Sequence, residues 1–318
     1  MSLIEVRDLT KTFPYKNSTV TILRGINLSI EEGETLCVVG ESGCGKTTFG
    51  KILAGLHSCS GGSYRYDGQE VNTFTKKQSV SFRRNMQLIH QNPYESLNPS
   101  SMVFDMISAP LKHHRKIRNF SELYRETAAL LEMVGLTPVE DFIDKYPTYL
   151  SGGQRQRVSI ARVLSMNPKS IVVDEATSMI DTSMRISLLD TLKRIQRELK
   201  VSYLYITHDL ALGRYFAWEH RLAVMYLGQI VELGPTPKLI GDPLHPYTKA
   251  ILSAGDIEGR ESYDLKGVDI PSFHALPPGC SLSPRCPQMI EGVCTVTEPV
   301  LSDIGDGRWV SCHLYREE

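Results

Sequence analysis

Apolar positions change their spacing repeatedly along this chain, and each change marks an element. The first sixty residues are rich in short β-type stretches, and "ETLCVVG" (Glu34 to Gly40) reads as a buried strand running straight into a glycine loop. A helix is expected to start near Lys46. In "FSELYRETAALLEMVG" a helical period puts Leu123, Thr127, Leu130, Leu131 and Val134 on one face, and Gly135 supplies a stop. This predicts a helical segment inserted between α/β pieces. After Leu150 the pattern returns to alternation: "SIVVD" is an apolar strand, Leu188, Leu192, Ile195 and Leu199 stripe a helix, and "VSYLYIT" is a strand again. "LAVMYLGQIVELG" reads as two strands around Leu227-Gly228. Strands and helices in this order predict an α/β fold with a mainly parallel sheet covered on both faces. Beyond Gly234 the text becomes "GPTP", "DPLHPY" and "ALPPGC", and a domain boundary is placed there. No internal repeat or low-complexity tract interrupts the chain.

Composition narrows the class. With 318 residues and 41% hydrophobic content the chain can bury one large core, or a main core with smaller lobes. Lys and Arg total 35 against 36 Asp and Glu, so no global basic field recruits nucleic acid or an anionic membrane. No apolar run approaches the roughly eighteen residues that span a bilayer, and the start Met1-Ser2-Leu3-Ile4-Glu5-Val6-Arg7-Asp8 lacks the features of a signal peptide. The expectation is a cytosolic protein that docks on a membrane protein. Seven cysteines, an odd count in a reducing compartment, argue against a disulfide framework and for metal ligation where they cluster.

The chemistry begins at "GESGCGKTT", which fits G-x-x-x-x-G-K-S/T between a strand and a helix. Gly40, Ser42, Gly43, Cys44, Gly45, Lys46, Thr47 and Thr48 form this phosphate loop. Its glycines let backbone N–H groups point inward at phosphate oxygens, and the helix start adds its dipole. Lys46 is expected on the β- and γ-phosphates and Thr47 on Mg²⁺; Cys44 reads as a small side chain the loop tolerates. Such a loop fixes ATP or GTP without fixing its use. "SIVVDE" supplies the other half: Asp174 ends a strand where a carboxylate can hold the Mg²⁺ shell, and Glu175 can polarise the attacking water, assistance worth about 10² to 10⁴ in rate.

"LSGGQRQR" (Leu150 to Arg157) decides the use. Ser151, Gly152, Gly153 and Gln154 at a helix start form an anion-binding end. Here the chain resembles the ATP-binding cassette (ABC) ATPases, whose signature is LSGGQ and in which this end faces the nucleotide held by a second cassette. The resemblance implies a P-loop ATPase with a RecA-like core, an antiparallel β edge and an inserted helical subdomain. It assigns 1–92 and 164–235 to the ATP-binding core, 93–163 to the helical signature subdomain and 236–318 to an accessory tail. It further implies that Phe13 stacks on adenine, with Tyr15 as the alternative, and that Gln91 reaches Mg²⁺ and reports on the γ-phosphate. His208 would be the switch histidine on that phosphate, and Asp181 would cross the dimer interface. One departure stands out: the usual D-E-P-T-S-A-L-D is "DEATSMID" here, with Ala176 for Pro and Met179-Ile180 for Ala-Leu, which touches the interface loop and removes no catalytic group.

"QNPYESLNP", "HPYTKAILSA" and the cysteine-rich end resemble the ATPase subunits of bacterial and archaeal dipeptide, oligopeptide and nickel importers. That resemblance implies ATP hydrolysis driving peptide import at the cytoplasmic face of the membrane, as a peripheral subunit. The partners would be a second, paralogous ABC ATPase subunit, two permease subunits and an extracytoplasmic solute-binding protein. Import of nickel chelates or oligosaccharides, and a non-transport ABC ATPase, are the alternatives, although no coiled coil or nucleic-acid face supports the last. The spacing Cys280-x5-Cys286-x7-Cys294-x17-Cys312 is not the tight knuckle of most structural zinc sites. Four thiolates suit zinc or an iron–sulfur cluster, and the resemblance favours a 4Fe-4S cluster over zinc or unligated thiols. Cys37 and Cys59 read as ordinary small residues.

Overall fold

The computed structural model describes residues 2–16, 18–178, 180–254, 262–267 and 269–315, so Met179 of the interface loop lies outside the described residues. The chain's own contacts divide it into two units, one built from the residues up to Thr73 together with those from Tyr205 onward, the other from Phe74–Leu204.

The first unit opens with two long strands, β1 (Ser2–Tyr15) and β2 (Ser18–Glu31), followed by β3 (Thr35–Val39), α1 (Lys46–Leu53), β4 (Gly61–Tyr66) and β5 (Gln69–Glu70). An antiparallel sheet of order β2-β1-β4-β5 results, with alternate side chains Ile4, Val6, Leu23, Ile26, Tyr64 and Tyr66 buried. Tyr64 donates its hydroxyl to the Leu53 carbonyl at 2.8 Å, which fixes that sheet to the end of α1.

In the second unit come α2 (Lys76–Asn85), β6 (Met86–Ile89), α3 (Val103–His114), α4 (Phe120–Met133), α5 (Gly152–Leu164), β7 (Ser170–Asp174) and α6 (Thr182–Leu199). Strands β6 and β7 pair in parallel, and every residue of β7 is buried, as its apolar run predicts. The α4 face forms as its spacing predicts: Leu123, Thr127, Leu130 and Leu131 are buried, each large apolar side chain contributing about 1.5–3 kcal/mol. On α6, Leu188, Leu192 and Ile195 are buried, whereas Leu199 is 40% exposed because the helix ends there. Helix α2 carries a capping box in which Thr75 accepts from the Gln78 N–H, the T-x-x-Q pattern characteristic of such a box.

Strand β8 (Ser202–Thr207) leads back to the first unit, which continues with α7 (Leu210–Phe216), β9 (Arg221–Tyr226), β10 (Gln229–Pro235), α8 (Thr236–Gly241), α9 (Pro246–Ala254), β11 (Ser302–Asp303) and β12 (Trp309–Val310). Strand β3 lies parallel to β9, and β9 turns into antiparallel β10 through Leu227-Gly228, both at positive φ (41° and 82°), the two-residue turn that matches strand twist. Among the described residues beyond α9 regular structure is sparse, and β12 adds the tail to the edge of β10. No helix among the described residues is long and apolar enough to cross a membrane.

Candidate functional site

In the first unit, the residues after β3 curl back on themselves before α1 begins at Lys46. The close approach of chain segments demands the first glycine: a Cβ at Gly40 would collide with the Met225 backbone oxygen. Lys46 is buried, and its ammonium donates to the Gly40 and Glu41 carbonyls at 2.8 and 2.9 Å. Ser42, Gly43 and Thr47 are exposed, Thr48 half-buried. Cys44 is buried with Sγ 3.8 Å from Lys46 Nζ, and burial pushes its thiol up despite the nearby ammonium. The loop is braced from behind. Gly228 N–H donates to the Cys44 carbonyl at 2.8 Å, and Glu41 N–H donates to the Tyr247 hydroxyl oxygen at 3.0 Å.

His208 lies exposed between β8 and α7, followed by Asp209, whose carboxylate caps α7 by accepting from the Leu212 N–H at 3.0 Å. Phe13 is half-buried, edge-on to His57 with ring centroids 6.0 Å apart and Lys11 Nζ 5.0 Å above it. The exposed Tyr15 ring lies 4.1 Å from that of His274.

The second unit holds the carboxylates. Asp174 is buried at the end of β7, and Glu175 follows at φ 47°, a left-handed conformation unusual for a side chain of this size. Gln91 Nε2 donates to Glu175 Oε2 at 3.0 Å across 84 residues of sequence. Ser151 caps α5 in a reciprocal box: its hydroxyl accepts from Gln154 N–H at 3.2 Å, and Gln154 Oε1 accepts from Ser151 N–H at 2.9 Å. Gly152 and Gly153 therefore open the helix. Asp181 is exposed at the start of α6, with Ala176 and Ile180 buried just before it.

Sequence reasoning missed what ties these parts within the unit. Gln156, fully buried on α5, donates to the His90 carbonyl at 3.4 Å, next to Gln91. Arg162 donates to the Ser96 carbonyl, and the Ser96 and Ser159 hydroxyls lie 3.0 Å apart, so the signature helix carries the 91–99 segment. Arg157 donates to the Val134 carbonyl, Thr191 and Ser187, joining α4, α5 and α6; burial lowers its pKa.

The tail of the first unit brings four cysteines into one another's electrostatic field. Burial, opposed by the Leu282 N–H, pushes Cys280 up to about 12, with the neighbouring thiols adding to the rise; burial likewise raises Cys286, and Cys312 to about 11. Each sulfur receives a backbone N–H, from Leu282, Gln288, Ile290 and Leu314 respectively for Cys280, Cys286, Cys294 and Cys312. All seven cysteines are free thiols, and among the described residues no group of three or more His, Cys, Asp or Glu is arranged to hold a metal ion. Cys37 is fully buried in β3, where burial alone drives its thiol far upward.

Comparison with known proteins gives two matches along the chain. Residues 23–178 match the ABC transporter family and residues 231–294 the oligopeptide/dipeptide transporter C-terminal region. Over 98% of its length the chain is 38% identical to the dipeptide transport ATP-binding protein DppF of Escherichia coli (strain K12), covering 93% of that protein. The oligopeptide transport ATP-binding protein AppF of Bacillus subtilis (strain 168) is 36% identical over 99% of the chain and 98% of its own length. The chain belongs to the ABC transporter ATP-binding family, in its oligopeptide/dipeptide branch. Among solved structures, this ABC protein is similar to the ADP- and Pi-bound dimeric cassette MJ0796, with TM-score 0.66 and 26% identity, covering 73% of this chain and 98% of that one. Clostridium perfringens cbiO1, part of the transporter complex cbiONQ, gives TM-score 0.67 and 26% identity over 76% of this chain and 91% of that one. The ABC fold expected from the sequence is therefore the fold observed, and the branch-specific C-terminal match contains the Tyr247 and Arg285 that meet the phosphate loop.

Proposed function

We propose that this ABC protein is the ATP-hydrolysing subunit of an importer for dipeptides or oligopeptides, working with two transmembrane permease subunits. The observation that carries the hydrolytic reading is Glu175, held at a strand end beside Asp174 and hydrogen-bonded to Gln91. Lys46 and the loop amides bind the phosphates of ATP; the Glu175 carboxylate takes the proton of the attacking water, and His208 holds the γ-phosphate. Thr47, Asp174 and Gln91 offer hydroxyl, carboxylate and amide oxygens, the hard donors that suit Mg²⁺. A bound Mg²⁺ would neutralise phosphate charge. Phe13 stacks on the adenine. Ser151, Gly152, Gly153 and Gln154 serve the nucleotide of a second cassette, a paralogue, and Asp181 meets that partner.

In this reading 1–92 and 164–235 form the ATP-binding core, 93–163 the helical subdomain and 236–318 the accessory tail, with the subunit peripheral on the cytoplasmic face and a solute-binding protein on the other side. The 91–99 segment, carried by α5, passes the nucleotide state to the permease. Glu175→Gln is expected to lower turnover by about 10² to 10⁴ while preserving ATP binding and trapping an ATP-bound dimer. Wild-type ATPase activity in that variant would reject the assignment.

The donor chemistry of Cys280, Cys286, Cys294 and Cys312 fits a 4Fe-4S cluster: four thiols, each taking a backbone N–H of the kind that stabilises cluster sulfurs. Such a centre would brace the tail, since ATP hydrolysis moves no electron. Anaerobic purification is expected to give a coloured protein with about four irons per chain; a colourless one, with or without zinc, overturns this reading.

A further inference from the structure

A cavity of about 390 Å³ opens beside the phosphate loop in the first unit. Residues 42–44 of the loop form one wall, Val20 and Ile22 of β2 another, and Pro271, Phe273 and His274 of the tail a third. A nucleotide whose phosphates sit in the loop must place its base and ribose in space adjoining that loop. This cavity adjoins it, and its apolar and aromatic walls suit the faces of a flat heterocycle. The register agrees: Phe13 pairs with Val20 across β1 and β2, so Phe13, Tyr15 and Val20 share one side of the ribbon.

The tail wall is anchored by bonds to the loop and its support. Phe273 packs on the Leu227-Gly228 turn, where a Cβ at Gly228 would lie 3.4 Å from its ring, and that turn holds the Cys44 carbonyl through Gly228 N–H at 2.8 Å. Tyr247 accepts the Glu41 N–H, and the Arg285 guanidinium lies 3.4 Å from both Glu41 carboxylate oxygens. The His274 ring lies 4.1 Å from that of Tyr15, tilted by 45°.

We infer that the tail segment Pro271–His274 closes the base side of the ATP pocket, with Phe273 and His274 contacting the purine. The inference rests on the phosphate-loop reading, and the test separates the two. Full-length protein, wild type and the variants Phe273→Leu, Phe273→Ala and His274→Ala, is titrated with Mg-ATP and with Mg-tripolyphosphate, which carries the phosphates without a nucleoside. His274 is exposed, so its replacement leaves the fold intact. Each alanine variant should weaken ATP binding about 5- to 100-fold, the range of base-stacking losses, with Phe273→Leu between them and wild type. Tripolyphosphate affinity should stay within about twofold. Unchanged ATP affinity in both alanine variants, or equal loss of both ligands, overturns the inference while the phosphate-loop reading stands. A wild-type protein that binds neither ligand overturns that reading, and the inference with it.

Discussion

Within the phosphate loop, Lys46 bonds to carbonyls only six and five residues back, and the helix that completes the loop begins at the same residue. Among the described residues beyond Ala254 the tail has two strands of two residues each, and its ties span the chain: Arg24 to Ser281 and Glu298 across 257 and 274 positions, Glu41 to Arg285 across 244. The Lys46 bonds inside the loop are short-range and cost little chain entropy, while its braces from Gly228 and Tyr247 come from far along the chain. The tail acquires its shape only against an already folded unit, since closing such long loops is opposed by entropy that local structure cannot offset. The contrast predicts that the tail opens more readily than the Lys46 bonds of the loop.

The sharpest way to break this contrast is Lys46→Ala. It removes two charge-assisted hydrogen bonds inside the loop and the cation placed for the phosphates, each such bond contributing about 1.5–3 kcal/mol. ATP affinity should fall by about 100-fold or more in equilibrium binding. Limited proteolysis of the tail should be unchanged. Release of the tail in this variant would mean that the loop supports it and that the two regions are not independent.

The same contrast explains what the sequence made legible. The strand, glycine loop and helix from Glu34 to Thr48 follow from local chemistry, as do the α4 face and the Ser151 cap, because a period of 3.6 or a capping residue acts within a few positions. The Gln91–Glu175 bond joins residues 84 apart, and the Glu41 clamp by Tyr247 and Arg285 joins residues 206 and 244 apart. No periodicity encodes such pairs. Gln91 entered the candidate site through family resemblance, while Tyr247 and Arg285 had no signal beyond a matching tail. The exposed Leu199 shows the limit of the stripe itself, since a helical period continues past the point where packing ends.

Acid should produce the next largest effect, and it reaches the loop through the tail side. His245 is buried and its pKa is lowered to about 3, by burial first and the Lys249 charge second; its ring Nδ1 accepts the Tyr247 N–H at 3.1 Å, and its backbone N–H donates to the buried Glu232 carboxylate at 2.9 Å. The unfolded chain protonates this histidine near 6.5 and the folded one does not. Between those values the unfolded state binds more protons, so stability rises with pH and is lost as pH falls below about 6.5. At pH 5 the loss from this group is about 2 kcal/mol. Chemical denaturation at pH 7.5 and pH 5 should show it, and His245→Gln should flatten the difference. An unchanged slope in that variant would place the acid sensitivity elsewhere, and not at Glu232, whose pKa is raised by burial and which therefore favours the folded state as pH falls.

Arg24→Ala should have the smallest effect and discriminates most finely between the two regions. Arg24 sits on β2, donates to Ser281 Oγ at 2.7 Å and pairs with Glu298, so it pins the cysteine-bearing stretch from the outside. Glu298 is 41% exposed, which makes the ion pair worth less than about 1 kcal/mol, and the bond to Ser281 adds about 1 kcal/mol. A loss of this size should speed hydrogen exchange of the 281–298 amides about fivefold to tenfold if they open locally. Amides of the phosphate loop should keep their rates, because the short bonds that shape it do not pass through Arg24. Faster exchange in both regions would show that they open as one cooperative unit, and the stiffness of the loop would then be borrowed from the tail.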